Sequence, residues 1–115
     1  MAATDLTAVT PGSSGLHTKR VTLESTAANA REIKLPTWAR RIDLTFKQSD
    51  GTTDDSGMLA SSGTDGSAIG NDVIPIASGA TYTVRLSAGR EPAGGSIFVR
   101  AGTASAFCHI ALQPE

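Results

Sequence analysis

Three aspartates, Asp50, Asp54 and Asp55, stand close together in the stretch SDGTTDDSGMLASSGTDGSAIGND, from Ser49 to Asp72. Carboxylates in a glycine-bearing loop are the donor type that hard cations take. The spacing matches no EF-hand, because the glutamate at the twelfth loop position is missing, and it matches no glycine-rich nonapeptide repeat. Calcium at these three residues therefore stays an alternative, and no metal ligand is assigned. GTDGSAIG, from Gly63 to Gly70, is glycine-rich but lacks the Gly-Lys-Ser/Thr ending and strand-to-helix setting of a phosphate cradle. His17 and His109 are the only histidines, and no His-x-His or HExxH pattern joins them. No G-x-S-x-G elbow is present. Asp54 and Asp55 adjoin each other in a polar loop, whereas paired acid and base carboxylates need environments that split their pKa values. Cys108, the single cysteine, lies in the apolar run AFCHIAL and reads as a small buried hydrophobe. These observations predict a non-enzyme with no catalytic residues and no cofactor.

The elements that would position such residues read as strands. RRIDLTF, from Arg40 to Phe46, alternates Ile42, Leu44 and Phe46 with Arg41, Asp43 and Thr45. A period of two sends the first set to a core and the second to solvent. LHTKRVTLE (Leu16 to Glu24), REIKL (Arg31 to Leu35), TYTVRL (Thr81 to Leu86), GSIFVRA (Gly95 to Ala101) and SAFCHIAL (Ser105 to Leu112) carry the same chemistry. NDVIPIA (Asn71 to Ala77) is short, and Pro75 demotes it to an edge or a bulge. Ser78-Gly79-Ala80 and Ala101-Gly102-Thr103 read as turns, and SAGREPAGG (Ser87 to Gly95) reads as a hairpin loop. STAANAREI (Ser25 to Ile33) is the best helix candidate, at one or two turns. Several short strands with regular turn signals predict an all-β fold, a small antiparallel β-sandwich or jelly-roll-like domain.

Two segments do not fit that series. Residues 1–15, dominated by Ala, Thr, Ser and Gly, read as a flexible N-terminal arm ahead of a sandwich domain at 16–115. Its apolar residues Leu6 and Val9 are expected to dock on a partner surface, and its removal is expected to leave the domain folded. The second segment is a long Gly/Asp/Ser loop at 47–72. Loops of that length in compact domains are functional or disordered. Met58, Leu59 and Ile69, scattered among its small residues, are candidate anchors against a neighbouring subunit. Trp38, with Arg40 and Arg41 beside it, is a further interface candidate, because Trp and Arg are enriched where proteins meet. The alternative for Trp38 is a cap on one end of the core.

Composition narrows the partners. The formal charge is −1 over 115 residues. A near-neutral chain is not built to collect phosphate backbone, so nucleic acid is not an expected partner. No apolar run approaches the ~20 residues that span a bilayer, so no membrane association is expected. MAATDLTAVTPGSSG lacks the basic start and apolar centre of a secretory signal, which points to synthesis in a cytoplasm. The aromatics total five (three Phe, one Trp, one Tyr), fewer than a sugar platform usually offers, so carbohydrate binding is a minor alternative.

A polar arm followed by IPIASGATYTVRL and GGSIFVRAGTASAFCHIAL resembles the small virion accessory proteins of tailed bacteriophages, of the cement or decoration type. The resemblance spans Leu16 to Leu112 and is one of overall style, so no individual residue role carries over. It implies a β-rich homotrimer on the outside of a capsid, bound to the major capsid protein and stabilising the shell. It also implies that residues 1–15 and the long loop are contact elements. The same features fit another virion part, a tail, neck or fibre module.

Overall fold

The alternation read in the sequence is realised most fully in two strands, β4 (Arg41–Lys47) and β9 (Phe107–Gln113). Both bury every second residue, so Ile42, Leu44 and Phe46 face the core together with Cys108, Ile110 and Leu112. They lie side by side, antiparallel, in a computed structural model that describes residues 3–86 and 95–114. The remaining strands are β1 (Thr4–Asp5), β2 (His17–Thr22), β3 (Arg31–Lys34), β5 (Gly57–Ala60), β6 (Ile74–Ile76), β7 (Thr81–Arg85) and β8 (Ser96–Ala101). They form a four-stranded sheet, β2-β9-β4-β7, and a five-stranded sheet, β1-β3-β8-β5-β6. From β2 onward every connection crosses between the sheets except β5 to β6, which is a jelly-roll arrangement. The fold class is thus an all-β sandwich, and among the described residues there is no helix. Ser25 to Asn29, at the start of the helix candidate, form bends, a turn and an isolated bridge instead. The remainder of that candidate runs into β3.

β7 and β8 belong to different sheets, so the segment joining them is a crossover and not the link of a hairpin. Residues 87–94 within it lie outside the described residues. β6 is an edge strand, as Pro75 requires. Gly79 turns the chain from one sheet edge to the other with φ +78°, a conformation that glycine adopts at no steric cost.

Two strands were not visible in the alternation. β1 pairs with β3 in parallel, Thr4 opposite Ile33 and Asp5 opposite Lys34. The next residue, Leu6, is 2% exposed and belongs to the main core. Trp38 Nε1 donates to the Val9 carbonyl at 2.9 Å and holds the segment down. Residues 3–9 are therefore part of the sandwich, which corrects the reading of residues 1–15 as a free arm and of Leu6 as a partner anchor. β5 sits between β8 and β6 inside the expected loop, and its Leu59 is a core residue at 6% exposure. This corrects both the 47–72 loop and Leu59 as a subunit anchor. A Cβ on Gly57 would lie 2.3 Å from the ring of Phe46, so the ring uses the space that glycine leaves.

Candidate functional site

The stretch from Ser49 to Asp72 resolves into three parts, and four of its aspartates, Asp50, Asp54, Asp55 and Asp65, bond within the domain itself. In the turn after β4, Asp50 accepts from the backbone N–H of Thr52 at 2.9 Å and of Thr53 at 2.8 Å, and from the Thr53 hydroxyl. These donors, led by that hydroxyl, pull its carboxyl down to about 2. Asp54 pairs with Lys47. Asp55 is buried, and accepts from Thr103 Oγ1 at 2.6 Å and from the Ser56 N–H at 2.8 Å. The three carboxylates turn to three different partners. Among the described residues no group of three or more His, Cys, Asp or Glu is arranged to hold a metal ion.

After β5 the chain from Ser61 to Val73 runs as a strap across the outer face of the five-stranded sheet. Its backbone is clamped to the segment before β3: Ala30 N–H donates to Ser67 O at 2.8 Å, Gly66 N–H to Ala30 O at 2.8 Å and Ile69 N–H to Ala28 O at 3.1 Å. Asp65 receives the Glu32 N–H at 2.7 Å. Beneath the strap Ala30, Ala60 and Phe98 form a second small core, with Ile69 and Val73 packed on it. Ile69 thus has an intramolecular partner. The signal in the sequence was the pairing of outward-facing Phe98 with a small Ala60 across β8 and β5, which only the register reveals.

The interface candidates are not brought together on one surface. Val9 and Trp38 pack against the main core near Leu6, and both stay partly exposed. Arg41 lies on the outer face of the four-stranded sheet, with its Nη2 3.4 Å from Asp43. Arg40 stands just before that strand, its backbone bonded to Gln113 and Leu86. Met58 is half-buried on the outer face of the other sheet, opposite Arg100 and Pro75.

One feature was not anticipated inside the core. Arg31 shares the inward parity of Ile33 and Leu35, and its Nη2 meets Glu24 Oε2 at 2.8 Å, with side-chain exposures of 4% and 10%. This ion pair ties the start of β3 to the residues just after β2. Burial drives the Cys108 thiol up to about 12, so it is protonated and unreactive at neutral pH.

Two of the depressions on the outer surface bear on partners. The first is an opening between the edge strands β6 and β7, of about 560 Å³. Leu59, Val73, Ile74, Val84, Leu86 and Ile97 line its apolar part; Ser61, Asn71, Asp72 and Ser96 line the polar part. Ile74 is 42% exposed there. The second is the outer face of the four-stranded sheet, with a depression of about 390 Å³ bounded by Thr18, Arg20, Asp43, Thr45 and His109 around Ala111. Asp43 accepts from Thr83 Oγ1 at 2.6 Å and Gln113 Nε2 at 2.7 Å, and these bonds, the Thr83 hydroxyl first, hold its carboxyl below the usual carboxylate range. His109 is shifted down, by desolvation first and then by Arg20 and Lys47.

No protein-family model matches the chain, and no curated protein matches it. The chain is similar to one in a solved structure described as "Bacillus endospore appendages form a novel family of disulfide-linked pili", at 22% identity over 96% of this chain and 97% of that chain. The TM-score is 0.34. No helix among the described residues is long and apolar enough to cross a membrane.

Proposed function

We propose that this chain is a non-enzymatic structural protein of a bacteriophage virion. It binds the outside of the capsid as a cement or decoration protein, makes contact with the major capsid protein, and acts as a homotrimer. The observation that carries the reading is the apolar opening between β6 and β7. A small domain that leaves Ile74 exposed beside Val73, Val84 and Leu86 gains by covering them with a second copy of itself. Two other observations support it. Asp50, Asp54, Asp55 and Asp65 of the 49–72 segment are engaged in holding that segment in place, as suits a building block. The jelly-roll arrangement is one that capsid proteins use, an argument from fold-level analogy.

Light scattering in solution tests the self-association. The expected result is a stable trimer that Ile74→Asp converts to monomer without loss of β-structure. A monodisperse monomer at all salt concentrations overturns the trimer. Co-sedimentation with purified capsids and with purified tails then separates decoration from a tail, neck or fibre module. Binding to tails alone overturns the capsid assignment.

A further inference from the structure

Register places the outward side chains of the four-stranded sheet in rows. Arg20, His109, Thr45 and Thr81 form one row; Thr18, Ala111, Asp43 and Thr83 form the next; Gln113, Arg41 and Arg85 form a third. Ala111 is the small residue among long neighbours, which is why the depression lies over it. Cationic side chains meet across a strand pair on this face, Arg41 opposite Arg85, and Arg20 stands opposite His109, whose charged form is disfavoured by desolvation and by Arg20 itself. Like charges directly opposite are unfavourable in an isolated sheet. The one carboxylate in these rows, Asp43, already accepts from Thr83, Gln113 and Arg41. Among the described residues no carboxylate pairs with Arg20 or Arg85; Arg20 instead stacks over the Phe107 ring at 4.2 Å. Two buried nitrogens on this face, His109 Nε2 and Arg41 Nε, have no hydrogen-bond partner. Buried polar atoms normally have one.

An anion set over Ala111 lies beside Arg20 and His109, which bound the depression, and offers an acceptor to the unpartnered His109 nitrogen. The overall charge of −1 and the central Asp43 disfavour a long polyanion. We propose that this sheet face docks an acidic segment of a partner protein, and that the depression over Ala111 receives one of its carboxylate side chains. This rests on the reading above only in taking the partner to be the capsid subunit.

The test uses the full chain, isotope-labelled, titrated at low salt with a capped hexaglutamate peptide and read by amide and imidazole NMR shifts. Hexalysine and a thymidine oligonucleotide serve as comparison probes. The groups around the His109 imidazole are Arg20 on β2, and Thr45, Lys47 and Asp43 on β4, with Lys47 itself paired to Asp54. The expected result is saturable shifts confined to β2, β9 and β4 around Ala111, with the His109 pKa raised in the complex. Arg20→Ala should weaken the peptide about tenfold, the loss of one charge-assisted bond. Ala111→Leu should abolish the shifts while the remaining spectrum stays native. The proposal is overturned by shifts that persist in Ala111→Leu, by no saturable shift, or by tighter binding of the oligonucleotide than of hexaglutamate. None of these results depends on trimer formation or on capsid, so failure here leaves the virion reading standing, and a monomer in light scattering leaves this face standing.

Discussion

Gly57 sets how closely β5 approaches the Phe46 ring. Any Cβ there enters the space of that ring, which is itself fully buried. Gly57→Ala is expected to destabilise the domain by about 1–3 kcal/mol, the usual range for overpacking a core, read as a fall in denaturant midpoint at constant slope. An unchanged midpoint would show that the ring moves aside freely. His109 makes a second prediction at this scale. Its folded pKa is depressed, so the unfolded chain binds the proton more readily. Its contribution to stability is then complete above the ordinary value of 6.5 and is lost as pH falls through the folded value. His109→Gln is expected to flatten the stability profile on the acid side of 6.5 and to leave it unchanged above. A profile of unchanged slope on that side would mean that other groups carry it.

At the scale of elements, the N-terminal strand and the buried pair carry separate parts of the stability. Removing residues 1–15 takes away β1 and the side chain of Leu6. Loss of a buried leucine alone costs about 2–5 kcal/mol, so the truncated chain is expected to melt well below the full chain. An equal melting temperature would return the segment to the status of an arm. Arg31→Met leaves the buried Glu24 side chain without the Arg31 guanidinium, at a cost of about 3–5 kcal/mol, whereas Arg31→Met with Glu24→Leu is expected to recover most of it. Both effects were hidden in the sequence for physical reasons. Two residues of strand have no alternation to read, so β1 looked like polar tether. Arg31 sits on the inward parity of REIKL, and that parity was visible, but an arginine is credited to solvent until a partner is known. GMLA in β5 failed as a pattern because Gly57 answers to Phe46 and Ala60 to Phe98, partners distant in the chain. The strands that were legible, β4 and β9 above all, are those with one face in the core and one in solvent, where alternation is the direct imprint of burial.

For the whole molecule, alternation and turn residues were enough for the class of fold, since they report local burial. They were silent on the surfaces, which depend on register. No reading of single strands could bring Arg41 opposite Arg85, or Arg20 opposite His109. The interface residues chosen for their type, Leu6 and Leu59, went to the core, while Ile74, chosen for nothing, stands in the open at 42% exposure. The trimer expected from that exposure and its dissociation by Ile74→Asp are the predictions that belong to this scale. They would be settled by the mass in solution before any capsid is in hand.

The crossing connections have a consequence for how the protein comes into being. Among the described strands only β5 and β6 are neighbours both along the chain and in a sheet. β9, near the end of the chain, lies between β2 and β4. During synthesis β2 and β4 therefore wait, unpaired with each other, until the last strand emerges to bridge them. The five-stranded sheet has all its strands once β8 has emerged, whereas the four-stranded sheet is joined only by β9. Folding dominated by such distant pairings runs on the scale of milliseconds to seconds, and a chain stopped before Phe107 lacks the strand that joins β2 to β4.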